Sequence, residues 1–162
     1  MTTFESGKGP EPKPERLYHR TYLQLLKNSV GTTMFRNFYV RTPEMGEFDA
    51  LDNGSNSCAF YVSGVLVIFK KLEAVHGTIA STIQDLNKSG WQKVPHEADM
   101  QPGDVLVWEA RKFPDGTYGH IGFALEDGQA VSTSWTEGKV VTHDLHFGDA
   151  NRAITQIYRT NW

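Results

Sequence analysis

The stretch from Cys58 to Phe69, Cys-Ala-Phe-Tyr-Val-Ser-Gly-Val-Leu-Val-Ile-Phe, is apolar nearly all round. A helix of that kind has no face to offer solvent, so it must be central and buried. The residues ahead of it, Leu51-Asp-Asn-Gly-Ser-Asn-Ser57, are turn formers and helix starters. The pattern predicts a helix from Cys58 to about Leu72, with a polar loop feeding its first turn. Gly64, in mid-helix, costs propensity and points to close approach of another backbone.

The remaining elements fall around this helix. Leu17, Tyr18, Tyr22, Leu25, Leu26 and Val30 recur at helical spacing before Gly31, which predicts an amphipathic helix over 15–30. Residues 31–57 form a long connection, apolar at Met34, Phe35, Phe38, Tyr39 and Val40 and anchored by Phe48 and Leu51, a small unit of its own or one wall of a groove. A further helix is expected from Thr78 to about Ser89, with Ile79, Ile83 and Leu86 on one face and Gly90 as its stop. The period then changes to alternation. Strands are expected at Asp104–Glu109, Tyr118–Leu125, Gln129–Ser134, Lys139–His146 and Arg152–Arg159, with turns at Pro102-Gly103, Pro114-Asp115-Gly116 and Glu126-Asp127-Gly128. Helices followed by a strand meander imply an α+β fold with a mainly antiparallel sheet of about five strands. A length of 162 residues suits a single domain over 15–162, with the Pro- and Gly-rich residues 1–14 as a flexible arm.

The totals exclude several classes. A net charge of −3 argues against a general nucleic-acid binder. One cysteine excludes an internal disulfide and a multi-thiolate metal site. The first residues lack an apolar signal core, and the longest apolar run is far too short to span a bilayer. The expectation is a soluble chain without membrane insertion, cytoplasmic or exported by a non-classical route. No phosphate loop or dinucleotide fingerprint is present, and no cofactor is expected. His143 and His146 would point to opposite faces of a strand, which disfavours a metal site there.

Cys58 at a helix start faces unpaired N–H groups and the positive end of the helix dipole, both of which favour the thiolate. Strand alternation puts His120, Gly122 and Ala124 on one face and Ile121, Phe123 and Leu125 on the other. The His120 face is nearly bare, so the Cys58 helix, with its Gly64, is expected to lie close upon it. Thiol and imidazole would then form a thiolate–imidazolium pair, and alkylation of Cys58 would be shifted to acid pH.

A third group should orient the imidazole. Hairpin register selects it. A two-residue loop, Asp127-Gly128, puts Thr133 on the His120 side. A three-residue loop, Glu126-Asp127-Gly128 with Gly128 left-handed, pairs Leu125 with Gln129 and puts Ser132 and Ser134 there instead. Both loops satisfy the sequence.

The order of Cys58 at a helix start, a Pro102-Gly-Asp-Val105 strand, then Gly119-His-Ile-Gly-Phe-Ala-Leu125 and a Gly turn resembles the NlpC-like and CHAP-like cysteine peptidases and amidases of the papain-like superfamily. The resemblance covers about residues 51–145. It implies a papain-like fold with Cys58 as nucleophile, His120 as base and Ser132 as the third catalytic residue, where the family more often has His, Asn or Gln. Thr133, Ser134, His143 or a water are the alternatives to Ser132. It also implies amide cleavage through a thioester, with a peptide or peptidoglycan fragment as substrate. The Cys58 N–H would be one oxyanion donor, and Asn53 or Asn56 a second. Trp135, in a turn beside the cleft, is a candidate to grip a sugar or peptide. A catalytically inactive peptide- or glycan-binding module, or a thiol acyltransferase, are the alternatives on the same fold.

Overall fold

The computed structural model describes residues 13–162. All but the last two residues of the expected arm therefore lie outside the described residues. The first helix, α1, spans Tyr18–Asn28 and buries Tyr22 and Leu26. The 31–57 connection contains a hairpin of its own, β1 (Tyr39–Thr42) against β2 (Gly46–Asp49). The central helix α2 runs Cys58–Ile68, shorter than expected. Phe69 leaves helical geometry, Lys70 turns left-handed, and the Lys71 N–H closes back on Leu66 O. Helix α3 spans Ile79–Lys88, capped by the Thr78 side chain, which accepts from the Ser81 N–H.

The remaining strands are β3 (Gln92–Lys93), β4 (Val105–Phe113), β5 (Gly116–Ala124), β6 (Gln129–Ser134), β7 (Lys139–Asp144) and β8 (Ile154–Arg159). They form one six-stranded antiparallel sheet in the order β3-β8-β4-β5-β6-β7. Six strands replace the five expected, because the short β3 pairs with the end of β8. The α+β class stands. No described helix is long and apolar enough to cross a membrane.

The sheet carries a core on each face. On one side Tyr22, Leu26, Tyr61, Val62, Val65 and Leu66 pack on Val105, Val107, Ile121, Phe123 and Val131. On the other, Leu106, Trp108, Ala124, Ala130 and Ile157 form a smaller cluster, with Leu145 and Phe147 against it. Complete burial of a Leu or Val side chain stabilises by about 1.5–3 kcal/mol, so the apolar helix belongs with the bulky face. This corrects one expectation. Helix α2 covers the Ile121 and Phe123 face of β5, not the His120 face. Gly64 admits the Phe35 ring rather than a backbone, since a Cβ there would lie 3.1 Å from Phe35 Cε1.

The β5–β6 hairpin takes the three-residue loop. Leu125 N–H donates to Gln129 O, and Ala124 pairs with Ala130. Asp127 and Gly128 both have positive φ. In this register Ser132 shares the His120 face. Gly122 is required for it, because a Cβ there would meet Val131 O at 2.6 Å and Ser132 Cβ at 2.8 Å.

Candidate active site

The loop that delivers Cys58 is held by one carboxylate. Asp49 accepts from the N–H groups of Phe38, Leu51 and Asn53 and from Asn37 Nδ2, at 2.7–3.1 Å. Burial opposes its charge, yet these donors hold its pKa down to about 2. Gly54 touches the β6–β7 turn, where its added Cβ would lie 2.7 Å from Gly138 Cα. Ser57 bonds Gly54 O through its hydroxyl and leaves the first turn of α2 without a side-chain cap.

Cys58 is therefore half-buried at an uncapped helix N-terminus. Burial pushes its thiol up, against the N–H groups of Ile121, Ala59 and Cys58 itself and the positive charge of Arg152. The Ile121 N–H contact brings the sulfur to β5 at the residue beside His120. No hydrogen bond joins Cys58 to the His120 ring in this structure.

His120 lies on the opposite face of β5 from α2, paired with Trp108 across the sheet. Its ring stands 5.4 Å from the Trp108 ring and 5.5 Å, edge-on, from Phe147. Burial, reinforced by the charges of Arg152 and His143, pushes the imidazole down to about 3. Both expected partners are thus driven toward their neutral forms. The thiolate–imidazolium pair expected from position alone is not what this environment favours, because both groups lose hydration and the Arg152 charge acts on the ring.

Behind His120 runs a chain of hydrogen bonds. His120 Nε2 is 2.8 Å from Ser132 Oγ, Ser132 Oγ is 2.8 Å from His143 Nε2, and His143 Nδ1 is 2.8 Å from Asp144 O. A carbonyl only accepts, so His143 carries its proton on Nδ1. Burial pushes the His143 pKa down, so the ring is neutral and its Nε2 is an acceptor. Ser132 then donates to His143 and accepts from His120 Nε2–H. That direction leaves His120 Nδ1 with an open lone pair. His143 is stacked on Phe147 at 3.9 Å.

The other sequence candidates fall in varied places. Ser134 bonds Thr136, and Thr133 is buried on the α2 side of β6. Asn56, two residues before Cys58, is exposed, and its side chain has no hydrogen bond among the described residues. Trp135 is 65% exposed and lies 6.2 Å from the Phe113 ring. His146 bonds Glu97 and Arg152 O, so it and His143 serve different neighbours. A surface hollow of about 420 Å³ is lined by residues of 90–99 and 159–161, none of which belongs to this site.

Two contributors escaped the sequence reading. Arg152 and Phe147 lie in the connection from β7 to β8, where Phe147 and Asn151 are left-handed. No local pattern announces them, since only the folded connection brings them to His120.

No curated protein matches the chain. Residues 53–162, more than half of it, match the family model described as bacteriophage peptidoglycan hydrolase. That span runs from the loop before Cys58 through His120, Ser132, His143 and Arg152. The chain belongs to the bacteriophage peptidoglycan hydrolase family.

Proposed function

We propose that the protein is a thiol-dependent amide hydrolase of papain-like architecture, of the NlpC-like and CHAP-like kind, cutting peptide or amide bonds of bacterial cell-wall peptidoglycan. The observation that carries this reading is the Ser132–His143 bridge, which leaves His120 Nδ1 without a proton on the strand that Cys58 touches. A serine in the third position is thus completed by a second histidine.

In this reading Cys58 Sγ attacks the carbonyl carbon while its proton passes to His120 Nδ1. Transfer is concerted with attack, as suits two groups held neutral at rest. It requires sulfur and ring to come within hydrogen-bond reach as substrate binds. The oxyanion is met by the Cys58 N–H at the start of α2, with Asn56 as second donor. The C–N bond breaks, and His120 returns the proton to the leaving amine, which gives a thioester. Water then attacks the thioester carbonyl, loses its proton to His120, and expels Cys58, which is reprotonated from His120. Trp135 offers an exposed indole face to the substrate beside the site.

Digestion of purified peptidoglycan tests the bond type. New amino and carboxyl termini are expected in the soluble products. New reducing sugar ends without new amino termini would replace this reading with a glycosidase.

A further inference from the structure

Arg152 is placed with unusual care for a residue with no carboxylate to neutralise. Its Nε donates to Glu109 O at 3.0 Å and its Nη2 to Tyr118 O at 2.7 Å. The Glu109 carbonyl is free for this because β4 bulges there. Trp108 pairs with His120 and Arg111 with Tyr118, so two residues of β4 oppose Gly119 alone. The guanidinium also lies over Phe147, 5.9 Å from the ring centroid, and Phe147 is the ring that meets His120. The nearby Glu109 carboxylate is taken by Arg111, through two N–H groups, and by the Ala153 N–H. Among the described residues Arg152 makes no ion pair, and its Nη1 makes no hydrogen bond.

A half-buried guanidinium pinned by carbonyls, with one edge unused, is a fork for a planar anion. Tyr118 lies two residues from His120 on β5, and the Phe147 ring under the guanidinium also meets His120, so Arg152 is held in the surroundings of that histidine. Wall peptides carry carboxylates close to their amide bonds. We propose that Arg152 is the receptor for a substrate carboxylate adjacent to the scissile bond, and that it makes the protein select the free acid over the corresponding carboxamide.

This deepens the hydrolase reading and rests on it. Electrostatics agree with the placement. After burial, the Arg152 charge is the leading influence that lowers the His120 pKa, and it acts on Cys58 as well. An anion seated on Arg152 offsets that part of the lowering, while the larger effect of burial stays.

The test uses stem-peptide substrates in pairs that differ only by one carboxylate or carboxamide, taken through each carboxylate in turn. For the intact protein one position is expected to favour the free acid by roughly 10- to 100-fold in kcat/KM, the range of one or two charge-assisted hydrogen bonds. In Arg152→Gln the ratio at that position is expected to fall to near one, and in Arg152→Lys to an intermediate value. The ratio cancels any general loss of folded or active protein. No preference at any position in the intact protein overturns the proposal without recourse to variants. A preference that survives unchanged in Arg152→Gln reduces Arg152 to a staple between β4 and β5. Turnover that persists in Cys58→Ala instead sinks the thiol reading and leaves the carboxylate ratio to be judged separately.

Discussion

The hydroxyl of Ser132 lies 2.8 Å from His143 Nε2, and this contact gives the hydroxyl its direction. With its hydrogen committed to His143, Ser132 accepts from His120 rather than donating to it. Ser132→Ala and His143→Phe each remove that direction. Each is expected to lower kcat by roughly 10- to 100-fold with little change in KM, less than loss of a general base outright. The His143→Phe ring retains the stack on Phe147, so packing loss is small. A change confined to KM would show that the bridge only shapes the binding surface.

Acid should destabilise the fold through His120. Its folded pKa is about 3, against an unfolded value of about 6.5. Between those values the unfolded chain binds more protons, so stability falls as pH falls. The contribution is complete above roughly pH 6.5 and is lost progressively toward pH 3. His143, lowered in the same direction, adds to the slope. Denaturant midpoints measured from pH 7 to pH 4 should decline, and His120→Gln should decline less steeply. Equal slopes in the two proteins would remove the buried neutral imidazole from the account.

Alkylation reports the resting thiol. Burial holds Cys58 above its ordinary value, so iodoacetamide should react with the substrate-free protein along a curve displaced to alkaline pH. Only the thiolate reacts appreciably. A curve displaced to acid pH would restore the preformed ion pair.

The β4 and β8 strands are locked by a charge pair outside the site. Arg159 grips Asp104 through Nε and Nη2 at 2.8 and 2.6 Å, and the Gln101 N–H donates to the same carboxylate. Asp104 is buried, while Arg159 keeps about a third of its side chain in water. Asp104→Ala should therefore cost about 2–3 kcal/mol, less than the roughly 3–5 kcal/mol for a fully enclosed pair. A urea titration with unchanged slope and a lower midpoint is the expected result.

Much of this was legible in the chain because it is written in local periodicity. The apolar stretch after Cys58 announced a buried helix, and the alternation around His120 announced its strand. Gly128 announced a turn, but a two-residue and a three-residue loop fitted the same letters, so only the folded hairpin puts Ser132 on the His120 side. Periodicity divides a strand into two faces but does not say what covers each, and α2 went to Ile121 and Phe123 because bulk gains more from burial than a glycine face does. His143 was visible only as a weak alternative, since its role depends on Ser132 lying between two rings. Arg152 had no signal at all. Its place comes from a β-bulge at Glu109 and two left-handed non-glycine residues, Phe147 and Asn151, in the preceding loop, features set by tertiary contacts.

The most direct measurement is peptidoglycan cleavage by Cys58→Ala beside the intact protein, with circular dichroism and thermal unfolding to establish that both are folded. The intact protein should release fragments with new amino and carboxyl termini, while folded Cys58→Ala should release none and still sediment with peptidoglycan. Cleavage by folded Cys58→Ala at a rate comparable to the intact protein would contradict the assignment of Cys58 as nucleophile.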